Sequence, residues 1–250
     1  MIARTFGLVD SYDQHAHVQR RVAGNLAERI TTLPLPANPR VLEIGCGTGF
    51  LSAALMPQLP GASWTITDIA PEMVERARAV LPEGTATFLA MDGEQPTLPP
   101  QSFDLVCSSL AAQWFTNLGQ GISNLAAMVA PGGTLALATM ARGSFANWRA
   151  AHEAAGVSAA TPSYPDKIAL WAMAPANSKA VVEIEDEIEP YADARAFLKA
   201  FKNIGAGVPR AGHQPLSPKD LHRVMQAFER SDPIGPSAHY RIAYAMYRIA

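Results

Sequence analysis

Cysteine, charge and long apolar runs are all scarce in this chain, and each shortage removes a class of protein. Two cysteines occur in 250 residues, Cys46 and Cys107. Neither paired-disulfide nor metal-ligand spacing links them, which excludes a disulfide-stapled scaffold and a cysteine zinc site. Charged residues make up 17 % and nearly balance, for a formal charge of −2, and no dense Lys/Arg run suggests a nucleic-acid or membrane surface. No apolar run reaches the roughly 18 residues of a spanning helix, and the opening MIARTFGLVD carries no apolar signal core. A cytoplasmic protein with neither nucleic acid nor membrane as partner is expected. His15, His17 and His213 have no carboxylate partner at ligand spacing, so no metal is expected either.

What the chain does have is 48 % apolar residues, enough at this length for one substantial core. The rest is organised around Arg40 to Phe50, RVLEIGCGTGF. Val41 to Ile44 reads as a buried strand, which runs into a glycine-rich turn and then a helix from Leu51 to Leu59. Glycines 45, 47 and 49 permit a tight turn and leave the backbone open to a ligand. The dinucleotide fingerprint wants G-x-G-x-x-G/A with pyrophosphate on the helix N-terminus. Here the spacing is G-x-G-x-G, Phe50 follows, and Glu43 stands at the mouth of the turn. A carboxylate there would repel pyrophosphate but suit the ammonium and sulfonium charges of S-adenosylmethionine. The segment Ser63 to Ile69 reads as a second strand ending in Asp68, placed to accept from ribose hydroxyls. Thr85 to Asp92 reads as a third, whose terminal acid can accept from the adenine amine.

Further along, strand and helix alternate, as in a parallel sheet built from crossover units. Val18, Val22, Leu26 and Ile30 recur every four residues and predict an N-terminal helical arm, within residues 1–36. Pro71 opens a helix to Leu81. Ser102 to Ser109 reads as a fourth strand, with Gln113 and Trp114 just beyond it at the ligand end of the sheet. A helix from Asn117 to Val129 should stop at Pro131-Gly132-Gly133, with a fifth strand from Thr134 to Met140. Residues 142–178 and 191–232 read as helical lid insertions. Between them Val181 to Pro190, VVEIEDEIEP, alternates like a half-exposed strand. A helix from Ser217-Pro218 to Glu229 and a last strand, His239 to Ile249, complete a single domain.

Across Arg40 to Met140 the chain resembles the class I S-adenosylmethionine-dependent methyltransferases. The resemblance implies a Rossmann-like, mostly parallel sheet with an antiparallel last strand and helices on both faces. It also implies a cofactor site in which Glu43 lies near the amino group, Gly45, Cys46, Gly47 and Gly49 embrace the methionine end, Asp68 meets the ribose and Asp92 the adenine. Ile69, Met73, Gly93 and Ser109 border that site. A narrower resemblance spans nearly the whole length. Phe6, Tyr12-Asp13, Ala16 and Gln19, then Ser109-Leu110-Ala111 with Gln113-Trp114, Gly143-Ser144-Phe145, Leu198-Lys199 and Ile204-Gly205-Ala206 are together similar to the malonyl-[acyl-carrier protein] O-methyltransferases of biotin synthesis. That family methylates the free carboxyl of a malonyl thioester, and the partner it implies is an acyl-carrier protein or coenzyme A bearing the malonyl group.

A carboxylate is already ionised at neutral pH, so its methylation needs alignment and a dry site more than a base. Tyr12, with Gln113 and Trp114, is expected at the reacting groups. Trp148, Trp171 and Met173 would make an apolar cover, while Arg142, Lys199, Lys202 and Arg210 are candidate substrate-holding bases. The competing readings are a methyltransferase for a free small carboxylic acid or other small metabolite, a nicotinamide oxidoreductase, and a non-catalytic S-adenosylmethionine-binding protein.

Overall fold

The computed structural model describes residues 16–84, 86–203, 215–231 and 235–250, with the side chains of residues 202 and 203 left out of the description. Helix α1 (His17–Thr31) precedes strand β1 (Arg40–Ile44), helix α2 (Phe50–Leu55), strand β2 (Ser63–Asp68), helix α3 (Pro71–Val80), strand β3 (Ala86–Ala90) and strand β4 (Phe103–Ser109). Then come helix α4 (Leu118–Ala126), strand β5 (Val129–Met140), helices α5 (Ala146–Ala154) and α6 (Lys167–Ala172), strand β6 (Ser178–Pro190), helices α7 (Ala194–Asn203) and α8 (Pro218–Glu229) and strand β7 (Ser237–Ile249). The seven strands form one sheet in the order β3-β2-β1-β4-β5-β7-β6. β7 runs antiparallel to both neighbours; β1 to β5 pair in parallel. The expected sheet is therefore present, antiparallel last strand included.

Successive residues of a strand point to opposite faces, so a central parallel strand is apolar throughout. β1 shows this: Val41 joins the core on one face with Leu105, Ala136 and Ala138, while Leu42 and Ile44 join the other with Val106, Leu135 and Leu137. Helix α1 covers the first face with Val18, Val22, Ala23, Leu26, Ala27 and Ile30, the stripe its four-residue period predicts. Helix α4 covers the second with Ile122, Leu125 and Ala126. Each fully buried Leu or Ile contributes about 1.5–3 kcal/mol.

Several boundaries differ from expectation, each for a local reason. The predicted helix to Leu59 ends at Leu55 and tightens into a 3₁₀ turn, Met56–Gln58, around Pro57. β3 stops at Ala90, leaving Asp92 in the turn beyond it. Helix α4 starts after Asn117, whose side chain accepts from Gln120 N, and ends at Ala126. Pro131-Gly132-Gly133 does not precede the fifth strand but lies within it. Phe103 pairs with Val129 and Leu105 with Thr134, and that shift of register absorbs the extra residues. β6 and β7 each start a few residues early, because their ladder runs from Ser178↔Ile249 to Pro190↔Ser237.

The acidic alternation of β6 has a partner. Arg21 donates to Glu187 at 2.8 Å and Glu189 at 2.9 Å; Arg29 donates to Glu183 at 3.1 Å and to Glu185. The Arg29 guanidinium also lies 4.0 Å from the centre of the Tyr244 ring. One face of the edge strand is thus clasped by the arm helix. Partly exposed pairs are individually weak, but a shared network with a cation–π contact is worth about 1–2 kcal/mol. Arg29→Ala should lower stability by that amount in a denaturant titration, and the difference should shrink at about 1 M salt, where screening shortens to ~3 Å.

The first insertion divides between the two faces of the sheet. Trp148 of α5 meets Phe197 of α7 and Phe228 of α8 at ring-centre distances of 5.0 and 5.1 Å, on the face that α1 covers. Helix α6 lies on the other face, where Leu170 is buried and its carbonyl accepts from the Tyr247 hydroxyl at 2.8 Å.

Candidate functional site

A cavity opens at the carboxyl ends of β1 to β4, where the crevice of an open α/β sheet is expected. Its floor is the glycine turn. Cys46 N donates to Thr67 O at 2.9 Å, prolonging the β1–β2 pairing, and Gly49 N donates to Cys46 O at 2.8 Å, closing the bend. Gly45 has φ +67°, and a Cβ there would collide with the Cβ of Ala111. Gly93 is crowded in the same way against Ile44. Both are glycines because two loops approach closely beneath the cavity.

Glu43 differs from the sequence expectation. It lines the cavity at depth rather than at the mouth, 1 % exposed, with the Ser52 hydroxyl of α2 donating to its carboxylate. Burial pushes its carboxyl up to about 8; the charge of Asp68 adds to this and the Ser52 bond works against it. A buried acid with a perturbed pKa on a cavity wall marks a candidate functional site.

Asp68 ends β2 and is also buried. Its Oδ2 accepts from Gly47 N and its Oδ1 from Ala70 N, each at 2.9 Å, so it braces the glycine turn against the start of α3. Burial raises its pKa above the ordinary value, against the pull of those backbone donors. Asp92 is exposed and its Oδ1 accepts from Glu94 N at 2.9 Å.

Of the residues expected to hold cofactor, Glu43, Gly45, Cys46, Gly47, Asp68, Ile69, Met73, Asp92, Gly93 and Ser109 line this one cavity, as does Trp114. Gly49 stands apart, capping α2, where an added Cβ would lie 3.6 Å from Ala77. Gln113 stands behind the wall: its Nε2 donates to Leu110 O at 2.6 Å and its Oε1 accepts from Thr139 at 3.4 Å. It thereby ties down Leu110, whose φ of +51° is a left-handed conformation costing a leucine about 1–2 kcal/mol. None of Trp148, Trp171 and Met173 lines the cavity. Trp148 is inside the aromatic cluster, Trp171 is 62 % exposed, and Met173 packs on the opposite core. The dry wall is built from Leu110, Trp114 and Phe115 instead.

The two candidate bases whose side chains are described stand elsewhere. Arg142 pairs with Asp166 at 3.2 Å beside a second cavity, and Lys199 is exposed on α7. Lys202 belongs to α7, but its side chain is outside the description; Tyr12 and Arg210 lie outside the described residues. Sequence reasoning passed over Gln19 and Ala23 of α1, Phe50 of α2, and Glu94, all of which line the cavity. Glu94 accepts from Thr116 N at 2.9 Å and from Asn117 N at 2.5 Å, joining the loops after β3 and β4. Only a contact between distant loops makes it matter, and no local pattern announces that.

Residues 41–133 match the family described as a methyltransferase domain. A malonyl-[acyl-carrier protein] O-methyltransferase from Magnetococcus marinus is 39 % identical over 249 residues, covering 98 % of this chain and 91 % of the relative. The biotin biosynthesis bifunctional protein BioCD of Bordetella avium is 45 % identical over 249 residues, covering 99 % of this chain but 52 % of that one. The chain therefore spans about half the length of the bifunctional relative. The crystal structure of the YcgJ protein from Bacillus subtilis superposes with a TM-score of 0.64 at 16 % identity, covering 90 % of this chain and 97 % of that one. An S-adenosylmethionine dependent methyltransferase from Mesorhizobium loti gives 0.53 at 19 %, covering 90 % and 98 %. At such identities the likeness is one of fold.

Proposed function

The chain belongs to the malonyl-[acyl-carrier protein] O-methyltransferase family, and from that premise we propose that it transfers a methyl group from S-adenosylmethionine to the free carboxylate of a malonyl thioester, in the making of a biotin precursor. The observation that carries the reading is the buried acid beneath an open glycine turn. The residues present fit this cofactor. Glu43 offers a desolvated negative charge to its cationic methionine end, a Cβ on Gly47 would meet nothing within 4 Å, so the backbone there is open, and the 44 % exposed Ile69 offers an apolar platform beside Asp92. Asp68 and Asp92 would hold the ribose and the adenine.

When bound, the cofactor supplies an electrophilic methyl on a positively charged sulfur. The chain's own work is then to hold, align and dehydrate. A malonyl carboxylate is ionised at neutral pH and needs no general base. Alignment of two reactants at near-contact distance can supply several kcal/mol of the barrier. Leu110, Trp114 and Phe115 keep water from the site, which favours a step in which opposite charges cancel. Gln113 acts at one remove, holding the strained Leu110 corner. Tyr12 is assigned to closing over the cofactor or the reacting carboxylate. Its hydroxyl is tested by Tyr12→Phe, which should lose turnover; full turnover with full cofactor affinity would remove the role.

The reaction is tested by mass spectrometry of a malonyl-carrier thioester incubated with the chain and S-adenosylmethionine. One methyl gained on the acyl group, and none on the carrier protein, is expected. Methylation of free malonate in preference to the thioester would replace this reading with that of a small-acid methyltransferase.

A further inference from the structure

Outside the cofactor cavity, a second hollow lies between α5 and the segment leading to α6. That segment folds back so that Arg142 N donates to Pro165 O at 2.8 Å. Arg142, Arg149, Thr161 and Tyr164 line the hollow. Thr161 Oγ1 is buried with no hydrogen-bond partner, and the Arg149 guanidinium forms no ion pair or hydrogen bond among the described residues. Buried polar groups are ordinarily satisfied, and exceptions in a cavity point to a missing ligand. Arg142 is already engaged by Asp166, which leaves Arg149 as the available cation. Burial pushes the Tyr164 phenol up to about 12, against the nearby charge of Arg149, so it is a hydroxyl donor throughout the working range. Glu153, the one acid on this lining, is exposed.

The position of the hollow matters. Arg142 follows the carboxyl end of β5 by two residues, and β5 lies two strands from β1 in the sheet, about 10 Å across. Both cavities therefore open at the same end of the sheet. An extended pantetheine arm is longer than that interval. A guanidinium fork with two hydroxyl donors matches the oxygens of a phosphate better than those of any neutral group.

We infer that this second cavity holds the phosphate of a phosphopantetheine arm, with Arg149 as its charged ligand and Thr161 and Tyr164 as hydroxyl donors, while the acyl end of the arm reaches the cofactor cavity. This rests on the thioester substrate proposed above. The same phosphorylated pantetheine occurs on a carrier protein and in coenzyme A.

The test is calorimetric and does not depend on methyl transfer. 4′-Phosphopantetheine, coenzyme A and unphosphorylated pantetheine are titrated into the full chain, into Arg149→Ala and into Tyr164→Phe. The parent chain should bind phosphopantetheine about tenfold more tightly than pantetheine, the worth of one charge-assisted contact. Arg149→Ala should lose that preference, Tyr164→Phe should reduce it, and Arg149→Lys should keep part of it. Weaker binding of coenzyme A than of phosphopantetheine identifies the carrier-borne arm as the source; stronger binding identifies coenzyme A. Equal affinity of the parent for phosphopantetheine and pantetheine, or an undiminished preference in Arg149→Ala, overturns the assignment. Phosphate preference without methylation of any malonyl thioester would count against the proposed reaction and leave this ligand site standing. The opposite pattern would keep the reaction and remove the site.

Discussion

Glu43→Gln should bind S-adenosylmethionine about 100-fold more weakly than the parent chain, the cost of losing a charge-assisted contact to a buried cation. The defect should come with no loss of fold. In the free chain the Glu43 carboxyl titrates near 8, against an ordinary value of 4.5, because burial disfavours its charge. The folded state therefore retains a proton that the unfolded chain releases, and stability falls as pH rises from about 4.5 to about 8. Glu43→Gln carries no such acid, so it should lack that slope and melt no lower than the parent at neutral pH. For the parent, an arriving cation favours the carboxylate and expels the proton. Cofactor affinity should then climb with pH, by up to about tenfold per unit between about pH 6 and 8, and flatten above. The charge of Asp68 adds to the rise at Glu43, while Glu43 in turn helps push up the buried thiols of Cys46 and Cys107, which stay neutral in this range, so the midpoint belongs to the Glu43–Asp68 pair. Calorimetry near pH 7 in buffers of different ionisation enthalpy reads the proton directly. Affinity that is flat with pH, or a Glu43→Gln chain that binds normally, would remove Glu43 from the site.

Gly45→Ala is the second large effect, and here the fold itself suffers. The position combines φ +67° with direct overlap of the new Cβ on Ala111. Left-handed strain and overpacking together cost about 2–4 kcal/mol, a fall in Tm of about 5–15 °C for a chain of this size. Cofactor binding should fail as well, since Gly45 lines the cavity on one side and presses on the loop after β4 on the other. Gly47→Ala makes the contrast. Its Cβ would meet nothing within 4 Å, so only backbone strain remains and the melting point should drop less. The double change Gly45→Ala with Ala111→Gly should recover part of the lost stability. A Gly45→Ala chain that melts with the parent would show that the two loops do not meet as described.

How much of this was legible in the sequence follows from how locally each feature is determined. The turn around Gly47 and the acids at 43, 68 and 92 could be read because a backbone-hugging ligand demands small residues and strand-end acids within one short stretch. The depth of Glu43 could not be. Part of it comes from Ser52 of α2, nine residues on, whose hydroxyl reaches the carboxylate and which the neighbours of Glu43 do not announce. Pro131-Gly132-Gly133 reads as a strand boundary by every local rule, yet the β4–β5 pairing resumes beyond it after a shift of register. Trp148 carried the right expectation of burial but the wrong partner: an aromatic residue says that it will be covered, not by what. The acidic row of β6 looked solvated because its counter-charges, Arg21 and Arg29, stand more than 150 residues away in the chain. Phe145, at φ +59°, has no precedent in its own sequence. It is held there by its backbone donating to His239 O at 2.6 Å.

β6 pairs with the rest of the sheet through β7 alone, and α1 is clasped to β6. The ion pairs from α1 to β6 therefore hold only while β7 keeps β6 in the sheet, so the arm helix and β7 secure one another through the strand between them. A chain without residues 237–249 would leave the acidic ribbon of β6 with no strand to pair with.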